Sequence, residues 1–297
     1  MRQAAGVTAA GIGAANAPQA ALLHGAPPPV FERGDGALEI AFDGRPGGLV
    51  HLYQRAPARA LLPKVPAGQP SEAVLITTSG GLTGGERMRY RVRGSGGGRA
   101  LVTTQAAEKI YRSLGPEVDI GVELEVAAGA RLEWLPQETI LFDGARLARR
   151  TRAVLEPDAR LLACEMLVFG RTASGERFRR GSLAERWRLE RGGRLMWADA
   201  LGLEGDVAAT LDDPFTFAGA AALATLIHAA PDAARHLALA REAAAGLGCR
   251  AGASLVNGIL LVRLFGPDAA LGRAGLADRL GRLRRAASYG HSLPRVW

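Results

Sequence analysis

Val118-Asp119-Ile120-Gly121-Val122-Glu123-Leu124-Glu125-Val126, followed by the turn Ala128-Gly129-Ala130 and by Arg131-Leu132-Glu133-Trp134-Leu135, sets the fold class. From Val122 to Val126 apolar and acidic residues alternate strictly. Successive side chains of a strand point to opposite faces, so this period of two reads as a half-buried β-strand. The Gly-centred turn ends it, and a second strand begins at Arg131.

Working outward, the same texture recurs. Short apolar runs split by Gly, Pro and Asp predict strands at Leu38–Phe42, Leu49–Gln54, Ala73–Thr78, Met88–Arg93 and Ala100–Thr104. More are predicted at Ala148–Leu155, Arg160–Phe169, Phe178–Glu190 and Arg194–Leu201. A tight turn followed by Arg-Leu repeats at Arg131-Leu132, Arg160-Leu161 and Arg194-Leu195. This rhythm predicts a mainly β protein, with stacked hairpins in a β-helix-like or layered sheet arrangement. The last third changes character. Pro214–Ala230 and Pro231–Gly246 carry helical spacing, Ser254–Phe265 suits a strand pair, and Pro267–Ala287 predicts an amphipathic helix. That helix is expected to bury Leu271, Leu276, Leu280 and Leu283 on one side and expose its arginines on the other. No linker separates the two regions. The expected organisation is an Ala/Gly/Pro-rich flexible tail over residues 1–36 and one domain over 37–297, β-rich to 205 and helical-rich from 213.

The chain has 297 residues and a formal charge of +8, with a pI near 10.4. Such a balance suggests nucleic acid, an anionic membrane or an acidic partner. Lys64 and Lys109 are the only lysines, so the charge is arginine. Arg87, Arg89, Arg91 and Arg93 alternate, as on a solvated sheet face. No basic cluster interleaved with aromatics supports single-stranded nucleic acid. A basic nucleic-acid-binding β protein is the alternative reading. No run of 18 apolar residues predicts a membrane span, and the first 29 residues lack the apolar core of a secretory signal. Cys164 and Cys249 form no CxxC or even framework, which suits a reducing compartment and a cytoplasmic location.

Catalytic signatures are missing. Thr78–Glu86 is glycine-rich, but no Lys follows, and an alternating strand rather than a helix comes next, so it is not a phosphate-binding loop. Its glycines suit a turn with positive φ or a close backbone approach. His24, His51, His228, His236 and His291 form no metal-ligand spacing. A hydrolase assembled from distant residues would need carboxylates to converge on His51 or His228. Glu138, Asp143, Glu165 and Asp199 lie in or beside apolar runs, where a carboxylate needs a partner. Pairing with arginines is the ordinary reading, and a polar path or interface the sharper one. Trp134, on an alternating strand, is expected in the core.

Several segments together resemble the urease accessory protein UreD (UreH) family. Ser79-Gly80-Gly81-Leu82-Thr83-Gly84-Gly85-Glu86 resembles its glycine signature, with Glu86 where Asp is usual. Thr104–Ser113, containing Lys109, Tyr111 and Arg112, resembles the next. Trp134-Leu135-Pro136-Gln137-Glu138-Thr139-Ile140 is the most specific match. Phe169-Gly170-Arg171 with Gly175-Glu176, and Leu293-Pro294-Arg295-Val296-Trp297, complete the set. The resemblance implies a β-helix-like stack with a smaller helical part, and a chaperone rather than an enzyme. The implied partners are urease apoprotein and UreF, and UreG through UreF. It further implies support for nickel insertion, with no nucleic acid or membrane bound. No tightly bound cofactor is expected, nickel being transient. Gly80, Gly81, Gly84, Gly85, Lys109, Tyr111, Arg112, Trp134 and Pro136 become the candidate structural or interface motif. Nickel in transit calls for weak oxygen ligands rather than a His/Cys trap, so Glu138, Asp143, Glu165 and Asp199 become candidate path residues.

Overall fold

Apolar residues in alternate phase divide the chain into strands that each bury one face. The computed structural model describes residues 33–45, 48–66, 68–244, 248–289 and 293–297. The expected tail, up to residue 32, lies outside the described residues. Residues 33–297 form one compact unit.

The strands in chain order are β1 (Asp35–Phe42), β2 (Leu49–Arg55), β3 (Ala58–Leu61), β4 (Ser71–Thr77), β5 (Arg87–Gly94) and β6 (Arg99–Thr104). Then come β7 (Glu108–Ile110), β8 (Val118–Val126), β9 (Arg131–Leu135), β10 (Thr139–Leu141), β11 (Arg146–Leu155) and β12 (Arg160–Phe169). They continue with β13 (Arg180–Arg191), β14 (Arg194–Asp206), the short helix α1 (Val207–Asp212) and β15 (Ala222–Ala229). The chain closes through α2 (Leu237–Ala244), β16 (Arg250–Val256), β17 (Ile259–Gly266) and α3 (Ala269–Ala286). β1 thus starts at Asp35, two residues before the boundary expected at Ala37.

Two sheets result. One runs β14-β13-β11-β8-β5-β1-β2, the other β16-β17-β15-β12-β9-β6-β4-β3, with β10 joining β12 to β7. Between β5 and β13 the chain crosses from one sheet to the other at nearly every turn. Its neighbours within a sheet are therefore parallel: β5 with β8, β8 with β11 and β11 with β13 on one side, β6 with β9 and β9 with β12 on the other. The architecture is the stacked, solenoid-like β arrangement that the turns predicted. The turns themselves divide in two. Ala128–Ala130 and Pro157–Ala159 are arches between sheets, whereas Gly192-Gly193 closes the antiparallel hairpin of β13 and β14. Leu132 and Leu161, 29 residues apart, are in-register partners in neighbouring strands.

The two inner faces enclose the main core. Leu124, Leu132, Leu147, Leu161 and Leu189 are fully buried there, and Trp134 is core as expected at 6 % exposure, beside Tyr90. On the outer face of the larger sheet a second core forms under α3. Leu276, Leu280 and Leu283 pack against Leu226, Val262 and Leu264, each burial contributing about 1.5–3 kcal/mol. Asp268 caps α3 by accepting from Leu271 N–H at 2.8 Å.

Three expectations change here. Pro214–Ala230 does not form a helix: Ala222–Ala229 is β15, pairing β12 on one side and β17 on the other. A strand buried on both faces shows a continuous apolar run without alternation, which Ala and Leu make resemble a helix. Leu271 is exposed. Arg279 and Arg284 turn inward from α3 instead of outward, each 3 % exposed. Arg284 reaches Glu133, and Arg279 donates to the Gly275 and Ala244 carbonyls at 2.8 and 3.1 Å.

Candidate functional site

Inward phase brings charged residues into the space between the sheets. Arg149 on β11 points in with Leu147, Thr151 and Ala153; Glu185 on β13 points in with Leu183 and Trp187. They are in-register partners. Arg149 Nε donates to both Glu185 oxygens, at 3.0 and 2.8 Å, and Nη1 donates to Thr139 Oγ1 at 2.9 Å. Its remaining nitrogen Nη2 meets Glu165 of β12, in the opposite sheet. Trp187 Nε1–H donates to the other Glu165 oxygen. One buried guanidinium thus faces two buried carboxylates. Burial pushes Glu185 up to about 7, against the pull of Arg149. Burial also raises Glu108, which accepts from Thr77 Oγ1 at 2.6 Å.

Three small cavities follow one another through this interlayer. The first, about 100 Å³, lies beside Gly80, Gly81, Thr77 and Glu108. The second, about 50 Å³, shares Tyr90, Thr104 and Glu108 with it and reaches Pro136, Arg149 and Glu165. The third, about 70 Å³, shares Glu165 and Trp187 with the second and ends at Asp199 and Arg263. Burial pushes the Cys164 thiol beside the second cavity far up, so it carries no thiolate.

The glycine-rich turn forms one corner of the stack. Leu82 N–H donates to the Lys109 carbonyl at 2.7 Å and Tyr111 N–H to the Leu82 carbonyl at 2.8 Å. The Tyr111 hydroxyl donates to the Gly80 carbonyl at 3.0 Å. Gly81 has φ +149°, and a Cβ there would stand 2.6 Å from the Tyr111 ring; one at Gly84 would collide with Ser113 and the Pro116 carbonyl. Tyr111 meets Phe142 edge-on at 4.9 Å, and the Arg171 guanidinium lies 4.6 Å from the centre of the same ring. Arg171 Nε in turn donates to Glu176 at 2.7 Å. The last residues pack on the stretch after β9. Gln137 Nε2 donates to the Val296 carbonyl at 2.8 Å, and Trp297 Nε1 to the Leu135 carbonyl at 3.1 Å. Segments far apart in sequence therefore join into two contiguous clusters.

Residues 33–297 match the family model described as UreD urease accessory protein. The chain belongs to the UreD family. A urease accessory protein UreD of Methylobacterium sp. (strain 4-46) is 46% identical over 283 residues, 91% of this chain and 96% of that one. Those of Magnetococcus marinus and Brucella suis are each 43% identical over 269 residues, covering 88% and 89% of this chain and 93% of theirs.

In this UreD-family chain the four singled-out carboxylates separate. Glu165 and Asp199 line the cavity row. Asp199 pairs with Arg263. Glu138 pairs with Arg273 at 2.7 Å, at the cluster around Trp297. Asp143 accepts from Arg179 and Arg180 N–H at 2.8 and 3.0 Å, a turn role near Tyr111 and Phe142. Of the motif residues, Gly80, Gly81, Gly84, Gly85, Tyr111 and Arg112 meet at the corner, Lys109 is exposed on β7, and Pro136 lines the second cavity. Sequence reasoning passed over Glu108, Arg149 and Glu185. The signal was present: each of the last two sits in the apolar phase of its strand. His51 is exposed on β2, and His228 is buried between His236 and Tyr289, away from the cavity row. Among the described residues no three His, Cys, Asp or Glu side chains group as a metal site requires. No helix among them is long and apolar enough to cross a membrane.

Proposed function

We propose that this UreD-family chain serves urease maturation as a chaperone without catalysis of its own. It binds urease apoprotein and the accessory protein UreF, engages UreG through UreF, and gives nickel a passage toward the urease active site. The work takes place in the cytoplasm, with both cysteines as thiols and no tightly bound cofactor. The name carried by its relatives supports the maturation role. The row of three cavities supports the passage. Its carboxylates are Glu108 at the first two cavities and Glu165, Glu185 and Asp199 at the third, offering hard oxygen without, among the described residues, the grouping of three ligands that would close a shell on a metal. A cargo ion of the nickel type is released from such ligands more readily than from imidazole or thiolate. Of the four carboxylates singled out in the sequence, Glu165 and Asp199 line this row, whereas Glu138 stands at the cluster around Trp297 and Asp143 at the turn near Tyr111.

The test is co-expression of the tagged chain with the urease genes. The tagged chain should recover apo-urease and UreF, and deletion of the gene should leave urease without nickel. Glu108→Gln with Asp199→Asn should lower urease nickel while the folded variant still recovers urease. Full nickel occupancy with that variant would remove the passage from the reading, and fully loaded urease in the deletion strain would remove the maturation role.

A further inference from the structure

The outer face of the seven-stranded sheet is not uniformly neutralised. On β5 and β8 the outward-facing partners are complementary: Arg87 faces Asp119, Arg91 faces Glu123 and Arg93 faces Glu125. On β11 and β13 they are not. Arg150 is directly opposite Arg186, and Arg152 directly opposite Arg188. The next strand adds no relief, since Arg186 faces Ala200 and Arg188 faces Ala198 on β14. Arg150 is drawn to Asp119 at 2.6 Å and Arg152 to Glu190 at 2.7 Å. None of the ion pairs among the described residues uses Arg186 or Arg188, and both are exposed. Like charges directly across neighbouring strands destabilise a sheet. Arg150 and Arg152 are each offset by a carboxylate, Arg152 also standing opposite Glu123 of β8, and Glu190 feels Arg188 as well. The residual cost falls on Arg186 and Arg188, which hold no ion pair of their own among the described residues.

Beside these pairs lies a groove of about 510 Å³. Its floor is opened by Gly121, which stands in register between Arg89 of β5 and Arg150 of β11. Six arginines line it against two glutamates, Glu39 and Glu123. Asp119 fixes one wall by holding Arg89 as well as Arg150, both at 2.6 Å. The remaining charge is planar guanidinium, suited to bidentate recognition of carboxylates.

We infer that this groove, centred on Arg186 and Arg188, docks an acidic extended segment of a protein partner. Charge complementarity selects the occupant. Single carboxylates can sit between the guanidiniums and avoid Glu39 and Glu123, whereas an unbroken phosphate backbone would pass over those two carboxylates. The inference rests on the reading of the chain as a protein-binding chaperone and adds the chemistry of one contact.

The probe is a fluorescein-labelled deca-glutamate peptide, with a ten-nucleotide thymidine strand of similar charge beside it, titrated with the whole protein at low salt. Arg186→Ser with Arg188→Ser should weaken peptide binding at least tenfold. A control pair of exposed arginines, Arg235→Ser with Arg285→Ser, should change it less than twofold. The groove variant should melt at the same temperature as the parent or higher, because repulsion is relieved. Equal losses in the two variants, a lower melting temperature in the groove variant, or thymidine binding as tight as peptide binding and lost with the same substitutions would overturn the inference. Urease nickel, scored in cells, separates the two readings. Lost nickel loading with unchanged peptide binding sinks the groove alone, and a nickel-loaded deletion strain sinks maturation alone.

Discussion

Arg149 on β11 and Glu165 on β12 meet across the gap between the two sheets, so one buried ion pair fastens the layers to each other. Glu185 holds the same guanidinium from its own sheet. Replacing Arg149 with Met would leave two carboxylates buried without a cation. Loss of one partner from a buried pair costs about 3–5 kcal/mol. Urea unfolding of Arg149→Met should show a loss of this size, and adding Glu165→Gln and Glu185→Gln should restore part of it. An unchanged midpoint would mean that water already solvates the cluster.

The glycine corner makes a steric prediction. Gly81→Ala places a Cβ against the Tyr111 ring at a φ that side chains rarely adopt. A loss of about 1–3 kcal/mol is expected, and trimming Tyr111 to Ala in the same chain should not recover all of it. Gly80, also at positive φ, has open space around it. Gly80→Ala should therefore cost less, about 1 kcal/mol. Equal losses at the two positions, measured by thermal unfolding, would contradict the close approach.

Glu185 makes stability depend on pH in an uncommon direction. Its folded value is raised above that of an ordinary glutamate, to about 7. The folded protein therefore holds this proton more tightly than the unfolded chain. The contribution is complete below the unfolded value, declines as pH rises to about 7, and is constant beyond. Glu185→Gln should lack that decline. Melting curves of the two proteins should diverge between pH 4.5 and 7; parallel curves would assign the cluster one permanently charged state.

His228 acts in the opposite sense. Burial, with His236 adding to it, holds it down to about 4. The folded state takes up its proton later than the unfolded chain as pH falls, so stability is lost from about pH 6.5 down to about 4. By linkage the loss is about 3 kcal/mol. His228→Phe should remove it, and its acid unfolding midpoint should lie lower than the parent's. A midpoint that does not move would place the acid transition elsewhere.

Much of this architecture was legible in local pattern. Val122–Val126 alternates because one face of β8 is core and the other solvent. The 29-residue offset from Leu132 to Leu161 is one turn of the stack, whereas the 34-residue offset to Leu195 is not, because β14 turns back as a hairpin. β15 was illegible as a strand because burial on both faces erases alternation. The short β7 and β10 give too few residues for any period. Of the site, Glu165 and Asp199 stood out as carboxylates in apolar runs. Arg149 and Glu185 did not, because Arg146–Arg152 and Arg186–Arg191 are dense in charge on both phases, and inward phase appears only when counted from Leu147 and Leu183.

The crossing of the chain between sheets also has a consequence in time. In the middle of the stack no strand hydrogen-bonds to the one made just before it. β9 pairs with β6, and its other edge waits for β12, whose matching residue Arg160 follows Arg131 by 29 positions. At ordinary rates of synthesis that is about 1.5–6 s. During this interval the growing end presents an unpaired strand edge and an uncovered apolar face. Only the hairpins, such as β1 with β2 and β13 with β14, can close at once. The nascent stack is therefore completed layer by layer, and its assembly is exposed to whatever meets that edge first.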